Sequence, residues 1–441
     1  MVFPNSRLLF SCPILITFGL FNISYILSAF NPELETARII PIEYLYGIPF
    51  CLYFLAISYK NKYFLIKVNK WLFISTIFAA ISSLIGIGMG WGIRDILADL
   101  ARYLGPIVGY SAGLIVLRRL QHSDIIKLIF FILLIQLFIY YFSLYEKIAD
   151  VASGGNLFNY AKFNLKTEVI FFLLFAFFWR KKVFGKFTSL LVLGYLIGYV
   201  VNPLLVMSKS DTIIVLFSIA IVFLFIAKIR LKLFLLAISF ILLFSFINNP
   251  KSEIIFKRFS NFFSVVLKGD YSVDASTSFR ITELNNVGST LINNLPYSFF
   301  FGMGAGALYY DVYSKIKGGI HAENFRSDGG IHHIFNGYLA YLYRYGVFGS
   351  TIILVWLISV IIKLRKELKK LQIEPYTSSI MLSIQFYIIL SLIAENFVPV
   401  NIYGNMNFGY FLAMAQLIAE KTNFERNNFL QLTSKNYAQL K

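Results

Sequence analysis

Two adjacent histidines, His332 and His333, stand at the end of a long polar stretch and just before an apolar segment. A neutral imidazole near pH 7 can take a proton from a hydroxyl group, so either residue could act as a general base toward an acceptor alcohol. The alternative is that both are only polar residues at a membrane boundary. Asp328 lies four residues before His332, but no third ligand follows at a suitable spacing. We therefore expect neither a metal nor another cofactor.

Arg280 and Glu283 open a segment whose apolar residues recur at helical spacing, and Pro296 closes it. This pattern predicts a helix over residues 279–295. The two charged residues, one turn apart, could form a local pair on a solvated face. Alternatively, Arg280 lies over a cavity and grips phosphate, which the rigid fork of guanidinium donors does well. An amphipathic helix is also predicted over 251–268, either as an anchor on the membrane surface or as a guide for a lipid-linked substrate.

The segment Phe301-Gly302-Met303-Gly304-Ala305-Gly306 follows this helix and is rich in glycine. No strand–helix–strand unit is predicted around it, so it is not a dinucleotide-binding fingerprint. It is either a turn whose backbone closely approaches another group or a simple flexible turn.

A second set of charged residues lies within or beside apolar segments, where charge tends to mark function or a paired structural site. Asp99 and Arg102 are one turn apart inside such a segment, and Arg94 and Asp95 begin it. They could form a charge-neutral clasp, or Arg102 or Arg94 could face the same outward cavity as Arg280.

The hairpin Met207-Ser208-Lys209-Ser210-Asp211 joins two further apolar segments with almost no loop. Lys209 could meet an anion at the mouth of a cavity, or it could satisfy the turn together with Asp211.

The elements that position these residues are predicted membrane spans. Apolar residues make up 58% of the 441-residue chain and charged residues 14%, against about 25% charged in an ordinary soluble domain. Runs of roughly 20 apolar residues, enough to cross a ~30 Å hydrocarbon core, recur, and such runs must be helical because lipid cannot pair with the backbone. We predict an all-α polytopic membrane protein with about twelve transmembrane helices, near 8–30, 41–59, 71–90, 96–117, 125–144, 167–179, 187–207, 212–227, 233–247, 334–362, 376–394 and 404–419.

These spans divide the chain into four parts. Residues 1–247 form an N-terminal bundle of about nine helices, 248–332 a large loop between helices 9 and 10, 333–419 the last membrane helices, and 420–441 a tail. The first span lacks a small-residue cleavage site and is predicted to be retained. Cys12 and Cys51 lie in apolar helices and predict neither a disulfide nor a metal site.

Basic residues set the predicted orientation. Counted from the N-terminus, alternate loops and the two termini together carry slightly more than the whole net charge of +18. Positive residues remain in the cytoplasm, so both termini are predicted to be cytoplasmic and the 248–332 loop to face outward. The basic composition thus reports topology and gives no reason to expect nucleic acid as a partner.

The architecture and several motifs resemble the O-antigen polymerase and O-antigen ligase superfamily. The resemblance covers the whole chain as architecture but only about 80 residues as motif. Three motifs support the resemblance. The first is Arg280 followed by Pro296 and the glycine-rich turn, and the second is the Ser208-Lys209-Ser210 hairpin, with Lys in place of Arg. The third is Asn336-Gly337-Tyr338-Leu339 with Leu342, Gly346 and Gly349. The family usually has His directly before the Asn; here Phe335 holds that place, and His333 and His332 lie three and four residues before Asn336.

The resemblance implies metal-independent glycosyl transfer at the periplasmic face of the bacterial inner membrane. The donor would be a glycan on undecaprenyl diphosphate, and in a polymerase a second lipid-linked repeat unit would be the acceptor. His333 or His332 would deprotonate the acceptor hydroxyl, and Arg280 would stabilise the leaving diphosphate. Further substrate contacts would come from Arg102, Arg94, Lys209, Asn336, Tyr338 and Glu283.

Three functions are compatible with these features. A polymerase of surface polysaccharide, with a chain-length regulator as a candidate partner, is favoured because the motifs match weakly and the histidine is offset, as in divergent polymerases. An O-antigen ligase would transfer the polymer to lipid A–core. A lipid-linked oligosaccharide flippase should show two related halves, whereas the one large loop here has no counterpart in the first half.

Overall fold

The computed structural model describes residues 62–121, 123–141 with gaps, 275–311, 329–332, 334, 337–370 and 406–439, together with the isolated positions 15, 17, 19, 260 and 264. This part of the chain is mostly helical, in agreement with the predicted class. Several predictions fall outside the described residues: spans 41–59, 167–179, 187–207, 212–227, 233–247 and 376–394, most of span 8–30 and most of the 251–268 helix. The same holds for both cysteines and for Lys209, His333 and Asn336.

Within the described residues, bounds are defined for six α-helices, one 3-10 turn and one strand pair. They are α1 (Lys62–Gly88), α2 (Ile93–Val116), a 3-10 turn (Leu117–Arg119), α3 (Ala275–Asn293), α4 (Tyr297–Phe301), β1 (Tyr309–Tyr310), β2 (Gly330–Ile331), α5 (Gly337–Lys370) and α6 (Met406–Gln439). The helices predicted over 71–90, 96–117 and 279–295 are thereby confirmed, the last beginning four residues earlier. The last predicted span and most of the predicted 420–441 tail form the single helix α6.

Among the described residues, two helices are long and apolar enough to cross a membrane. They are Lys70–Gly88 within α1 and Gly337–Glu367 within α5, judged by length and composition. Both coincide with predicted spans, because uninterrupted apolar runs of this length are the strongest signal a sequence gives for a membrane helix.

Small residues bring α2 and α6 together. A Cβ atom at Gly409 would overlap the carbonyl of Pro106, and one at Gly109 would overlap the carbonyl of Met406. Where lipid surrounds helices, close backbone approach of this kind replaces the hydrophobic effect as the source of association. A hydrogen bond from Tyr110 to Gln416 adds a polar contact across the pair. Helix α2, which carries Asp99, is thus packed closely against α6.

Helix α5 is broken at Gly346, where φ is 61°. The break frees carbonyl groups in the turn before it, and the glycine-rich segment uses them: Met303 N–H donates to the Tyr343 carbonyl at 2.7 Å and Gly304 N–H to the Arg344 carbonyl at 3.1 Å. Gly302, with φ 75°, lies so close that a Cβ there would meet the Arg344 carbonyl group. The segment is therefore a packed turn rather than a simple flexible one.

A short antiparallel ladder was not predicted. β1 pairs with β2 so that Tyr309 faces Ile331 and Tyr310 faces Gly330, and the all-α prediction is corrected to this extent. Two-residue strands carry too little periodicity to be recognised in a sequence. The ladder is fixed by a small core of Phe279, Val287, Met303, Ala307, Tyr309, Ile331, Ile334, Ala340 and Tyr343, and it leaves His332 directly after β2.

Candidate functional site

The site is built around Asp99, whose side chain is fully buried on α2. One carboxylate oxygen, Oδ2, accepts a hydrogen bond from the Gly306 backbone N–H at 2.7 Å. The same oxygen lies 2.9 Å from Arg344 Nε and 3.2 Å from His332 Nε2. Asp99 therefore joins α2, the glycine-rich turn, α5 and the residue after β2.

Backbone contacts explain how the turn reaches Asp99. Ala305 N–H donates to the Ser82 carbonyl of α1 at 3.1 Å, and Trp91 Nε1 donates to the Met303 carbonyl at 2.9 Å. Gly306, with φ 82°, lies against α2, where a Cβ atom would crowd Ile96. The glycines thus let the backbone come close to another group, which was one of the two interpretations from the sequence. That group is the buried carboxylate of Asp99.

Arg344 is the buried cation of the site. Its side chain is almost entirely enclosed on the last turn of α5 before the kink, and one guanidinium nitrogen donates to the His332 carbonyl. The Nε–Oδ2 separation is that of an ion pair, although Nε lacks the alignment of a hydrogen bond among the described residues. Arg344 therefore fixes the backbone of His332 while it neutralises Asp99.

Arg102 is the more accessible cation. Its side chain is 33% exposed, and Nη1 lies 3.7 Å from Asp99 Oδ1. Oδ1 is buried and has no hydrogen-bond partner within the described part of the chain. The pair is a loose ion contact, so Arg102 keeps donors that a second anion could use. Asp99 and Arg102 are thus in contact, as the clasp alternative required, but their contact is one edge of a larger cluster.

The His332 ring lies between two carboxylates. Nε2 faces Asp99 at 3.2 Å, whereas Nδ1 is 3.9 Å from Asp95 Oδ1, too far for a hydrogen bond. Burial is the largest cause that lowers the pKa of His332, and Arg344 lowers it further, while the contact with Asp99 acts in the opposite direction. A neutral ring that donates from Nε2 to Asp99 leaves a lone pair on Nδ1.

The charges of the cluster cancel: two carboxylates, Asp95 and Asp99, stand against two guanidinium groups, Arg102 and Arg344. Within the described residues no group of three His, Cys, Asp or Glu is arranged to hold a metal ion. What the geometry provides is a neutral imidazole held at both its ring and its backbone, next to one partly exposed arginine.

Among the described residues, the other predicted site residues are Glu283, Arg280, Tyr338 and Arg94. Glu283 is buried on α3 and accepts a hydrogen bond from the Tyr309 hydroxyl at 3.2 Å. Burial, with Glu283 beside it, raises the pKa of Tyr309. Arg280 is half-buried on α3, Tyr338 is half-buried in the first turn of α5, and Arg94 is exposed on α2.

Arg344 was missed by the sequence-based prediction, and Asp95 and Asp99 were considered only as parts of a clasp. A signal was available, because Arg344 is the single acidic or basic residue in the predicted span 334–362. A lone charge in an apolar span requires a partner of opposite sign, and Asp99, in another span, was a candidate for that partner.

No protein-family model matches the chain. A comparison with curated proteins likewise finds no significantly similar sequence.

Proposed function

We propose that the protein is a membrane-embedded glycosyltransferase that polymerises undecaprenyl-diphosphate-linked oligosaccharide repeat units into O-antigen or a similar surface polysaccharide. The observation that carries the proposal is the pairing of His332 with Asp99 at 3.2 Å. A largely enclosed imidazole with a lowered pKa, oriented by a carboxylate, is suited to accept a proton from a sugar hydroxyl.

The proposed step needs only a base and a stabilised leaving group. The acceptor hydroxyl oxygen forms a bond to the anomeric carbon of the donor, and the bond from that carbon to the diphosphate oxygen breaks. The hydroxyl proton passes to His332 Nδ1, and undecaprenyl diphosphate leaves with the bonding electron pair. Asp99 stabilises the imidazolium that forms, as the carboxylate does in other carboxylate–histidine pairs.

Arg102 is the described cation best suited to meet the departing diphosphate. It is partly exposed and held to Asp99 only at 3.7 Å, whereas Arg344 is enclosed between Asp99 and the His332 carbonyl. A positioned guanidinium stabilises charge that develops on a phosphate oxygen. Arg280 remains the second proposed cation, with Lys209 and Arg94 as further candidates.

The proposal includes the full topology. About twelve helices cross the bacterial inner membrane, both termini are cytoplasmic, and the large loop is periplasmic. The two helices suited to membrane crossing and the basic residues at Lys70 and Lys363 support this orientation, because both lie at the ends of these helices distant from the site.

A ligase that transfers the finished polymer to lipid A–core would use the same base and leaving group. Only the acceptor differs, and the described residues include no feature that selects one acceptor over the other. The polymerase remains our proposal because the chain's offset histidine and weak motif match resemble divergent polymerases.

The test is a gel of surface glycan from a strain that lacks this gene. A single repeat unit on the lipid core is expected, because translocation and ligation would still operate. Bare core would contradict the polymerase and indicate a ligase or a flippase. Complementation with His332→Gln should fail to restore polymer, and complementation with the wild-type chain should restore it.

A further inference from the structure

Three exposed phenylalanines form a continuous patch beside the kink in α5. Phe299 and Phe300 of α4 are 49% and 40% exposed, and Phe348 of α5 is 48% exposed. Phe300 stacks on Phe348 with ring centroids 5.4 Å apart, and Phe299 meets Phe300 edge-on at 5.3 Å. We call these three residues the aromatic patch.

The position of the patch along α5 gives its depth relative to a membrane. Phe348 lies in the first turn after the break at Gly346. From residue 347 the helix is apolar until Lys363, a length of about 24 Å at about 1.5 Å per residue. A lysine at the far end can extend its ammonium to the polar boundary. The apolar half of α5 therefore begins at the patch and ends at Lys363.

The apolar stretch of helix α1 is independently bounded in the same way as the apolar half of α5. Its apolar stretch Lys70–Gly88 covers about 27 Å, again with a lysine at one end. The other end meets the glycine-rich turn, since Gly86 abuts the Ala305 carbonyl group. Two helices thus place basic residues at one level and the glycine-rich turn, with the adjoining aromatic patch, at the other.

The chemistry of the patch agrees with this position. The segments that carry it, residues 295–301 and 347–349, contain no charged residue. Tyr297, 37% exposed, stands against Phe301 with centroids 5.9 Å apart and adds a hydroxyl to the edge of the patch. Aromatic rings beside an amphipathic tyrosine are typical of the boundary between lipid headgroups and acyl chains.

We propose that the aromatic patch docks α4 into the headgroup–acyl boundary of the bilayer leaflet on the side opposite Lys363. The occupant of the patch is membrane lipid. Because Arg344 lies one turn before Phe348 on the other side of the kink, this contact holds the Asp99–His332–Arg344 cluster at the level of the lipid headgroups. That is the depth at which the diphosphate of a lipid-linked substrate would lie.

Nitroxide depth measurements on the full chain in lipid vesicles test the proposal. With Cys12 and Cys51 replaced by serine, single labels are introduced by Phe299→Cys, Tyr310→Cys and Ile358→Cys, three positions that are all exposed in the structure. Collision of each label with oxygen is compared with collision with a water-soluble nickel chelate. Ile358 is about 15 Å along the helix from Phe348, so its label should report the bilayer centre.

The label at Phe299 is expected at the boundary, shallower than Ile358 and far less accessible to nickel than Tyr310. Nickel accessibility equal to that of Tyr310 would mean that the patch faces water and would overturn the proposal, as would a depth equal to that of Ile358. Should a cysteine variant fail to fold, Phe299→Trp gives the same information. Its added emission should be quenched more strongly by lipids brominated near the headgroup than by lipids brominated near the chain end, and the reverse order would overturn the proposal.

Discussion

His332 Nε2 lies 3.2 Å from Asp99 Oδ2, although 233 positions separate the two residues in the chain. The contact joins a helix from the first quarter of the sequence to the residue that directly follows β2. Arg344 and the Gly306 backbone N–H converge on the same carboxylate oxygen. The His332 ring is therefore held by a carboxylate that three separate elements fix in place. A general base requires such a fixed geometry.

Replacement of His332 by glutamine is predicted to reduce polymer formation by at least about 100-fold, the lower end of what a positioned base contributes. The measurement is the rate of chain growth in membranes that contain equal amounts of protein. His122→Gln, in a loop predicted to be cytoplasmic, is the matched control and should retain activity. His333→Gln separates the two adjacent histidines; loss of activity there with retention in His332→Gln would assign the base to His333.

The pH dependence follows from the lowered pKa of His332, which burial and Arg344 move below its ordinary value of 6.5. The rate should be constant above about pH 6.5 and fall on the acid side of it, because a protonated ring cannot accept the hydroxyl proton. The free energy of unfolding should also decrease as the pH falls. The unfolded chain binds a proton near the ordinary pKa while the folded chain resists it, so this contribution to the free energy of unfolding is present above 6.5 and is lost as the pH falls through the lowered pKa.

An acid limb that lies above pH 6.5 would contradict this account. The stability measurement has its own control, since the same titration of His332→Gln should lack the component assigned to this ring.

Asp99→Asn is predicted to destabilise the fold strongly, because it removes the negative charge while the buried guanidinium of Arg344 remains. Loss of one member of a buried ion pair typically costs about 3–5 kcal/mol. Asp124→Asn is the matched control, since Asp124 and Lys127 form an exposed pair at 3.4 Å of a kind worth at most about 1 kcal/mol. Thermal unfolding in detergent compares the two variants, and equal transition temperatures would show that Asp99 is not an electrostatic centre of the fold.

Much of the frame around Asp99 could be predicted from the sequence, whereas the contacts that define the cluster could not. Apolar runs located α1, α2 and α5, and periodicity with Pro296 located α3. The approach of Asp99 to His332 depends on the kink at Gly346 and on three glycines with positive φ. A sequence shows that these glycines permit unusual backbone geometry, but not which partner the backbone meets.

The partner of Arg344 likewise could not be identified from the sequence. Its place inside an apolar span signals that it needs a partner, yet the sequence offers several acidic residues in other spans and loops. Only the crossing of α2 and α5 selects Asp99. The strand pair at Tyr309 and Ile331 was missed for a different reason, because a two-residue ladder is stabilised by tertiary packing rather than by local preference.

Gly302→Ala is predicted to disrupt the turn that supplies Gly306. With φ 75° and ψ −171°, the backbone of Gly302 lies in a region that is essentially restricted to glycine and costs another residue roughly 1–3 kcal/mol. Overlap of the alanine Cβ atom with the Arg344 carbonyl group adds about 1–3 kcal/mol. Gly288→Ala on α3 is the control, since nothing lies within 4 Å of its Cβ position and alanine favours a helix by about 0.5–1 kcal/mol. The free energy of unfolding should decrease for Gly302→Ala and increase for Gly288→Ala. An unchanged free energy of unfolding for Gly302→Ala would contradict the packed turn.

Arg102→Gln is predicted to weaken binding of a lipid-linked diphosphate by about 10-fold or more, because a hydrogen bond to a charged group is worth about 1.5–3 kcal/mol. Arg94→Gln serves as the comparison, since Arg94 lies two turns earlier on the same helix and is exposed. Binding of undecaprenyl diphosphate to each variant in nanodiscs gives the two affinities. A larger loss for Arg94→Gln would move the proposed anion contact to the N-terminal end of α2.

The central claim is tested most directly by polymerisation with purified protein in vesicles supplied with undecaprenyl-diphosphate-linked repeat units and a chelator of divalent ions. The account predicts that the wild-type chain lengthens the glycan and releases undecaprenyl diphosphate, and that His332→Gln, folded to the same extent, releases none. Equal rates of release from the wild-type and His332→Gln proteins, or no lengthening by the folded wild-type protein, would contradict it.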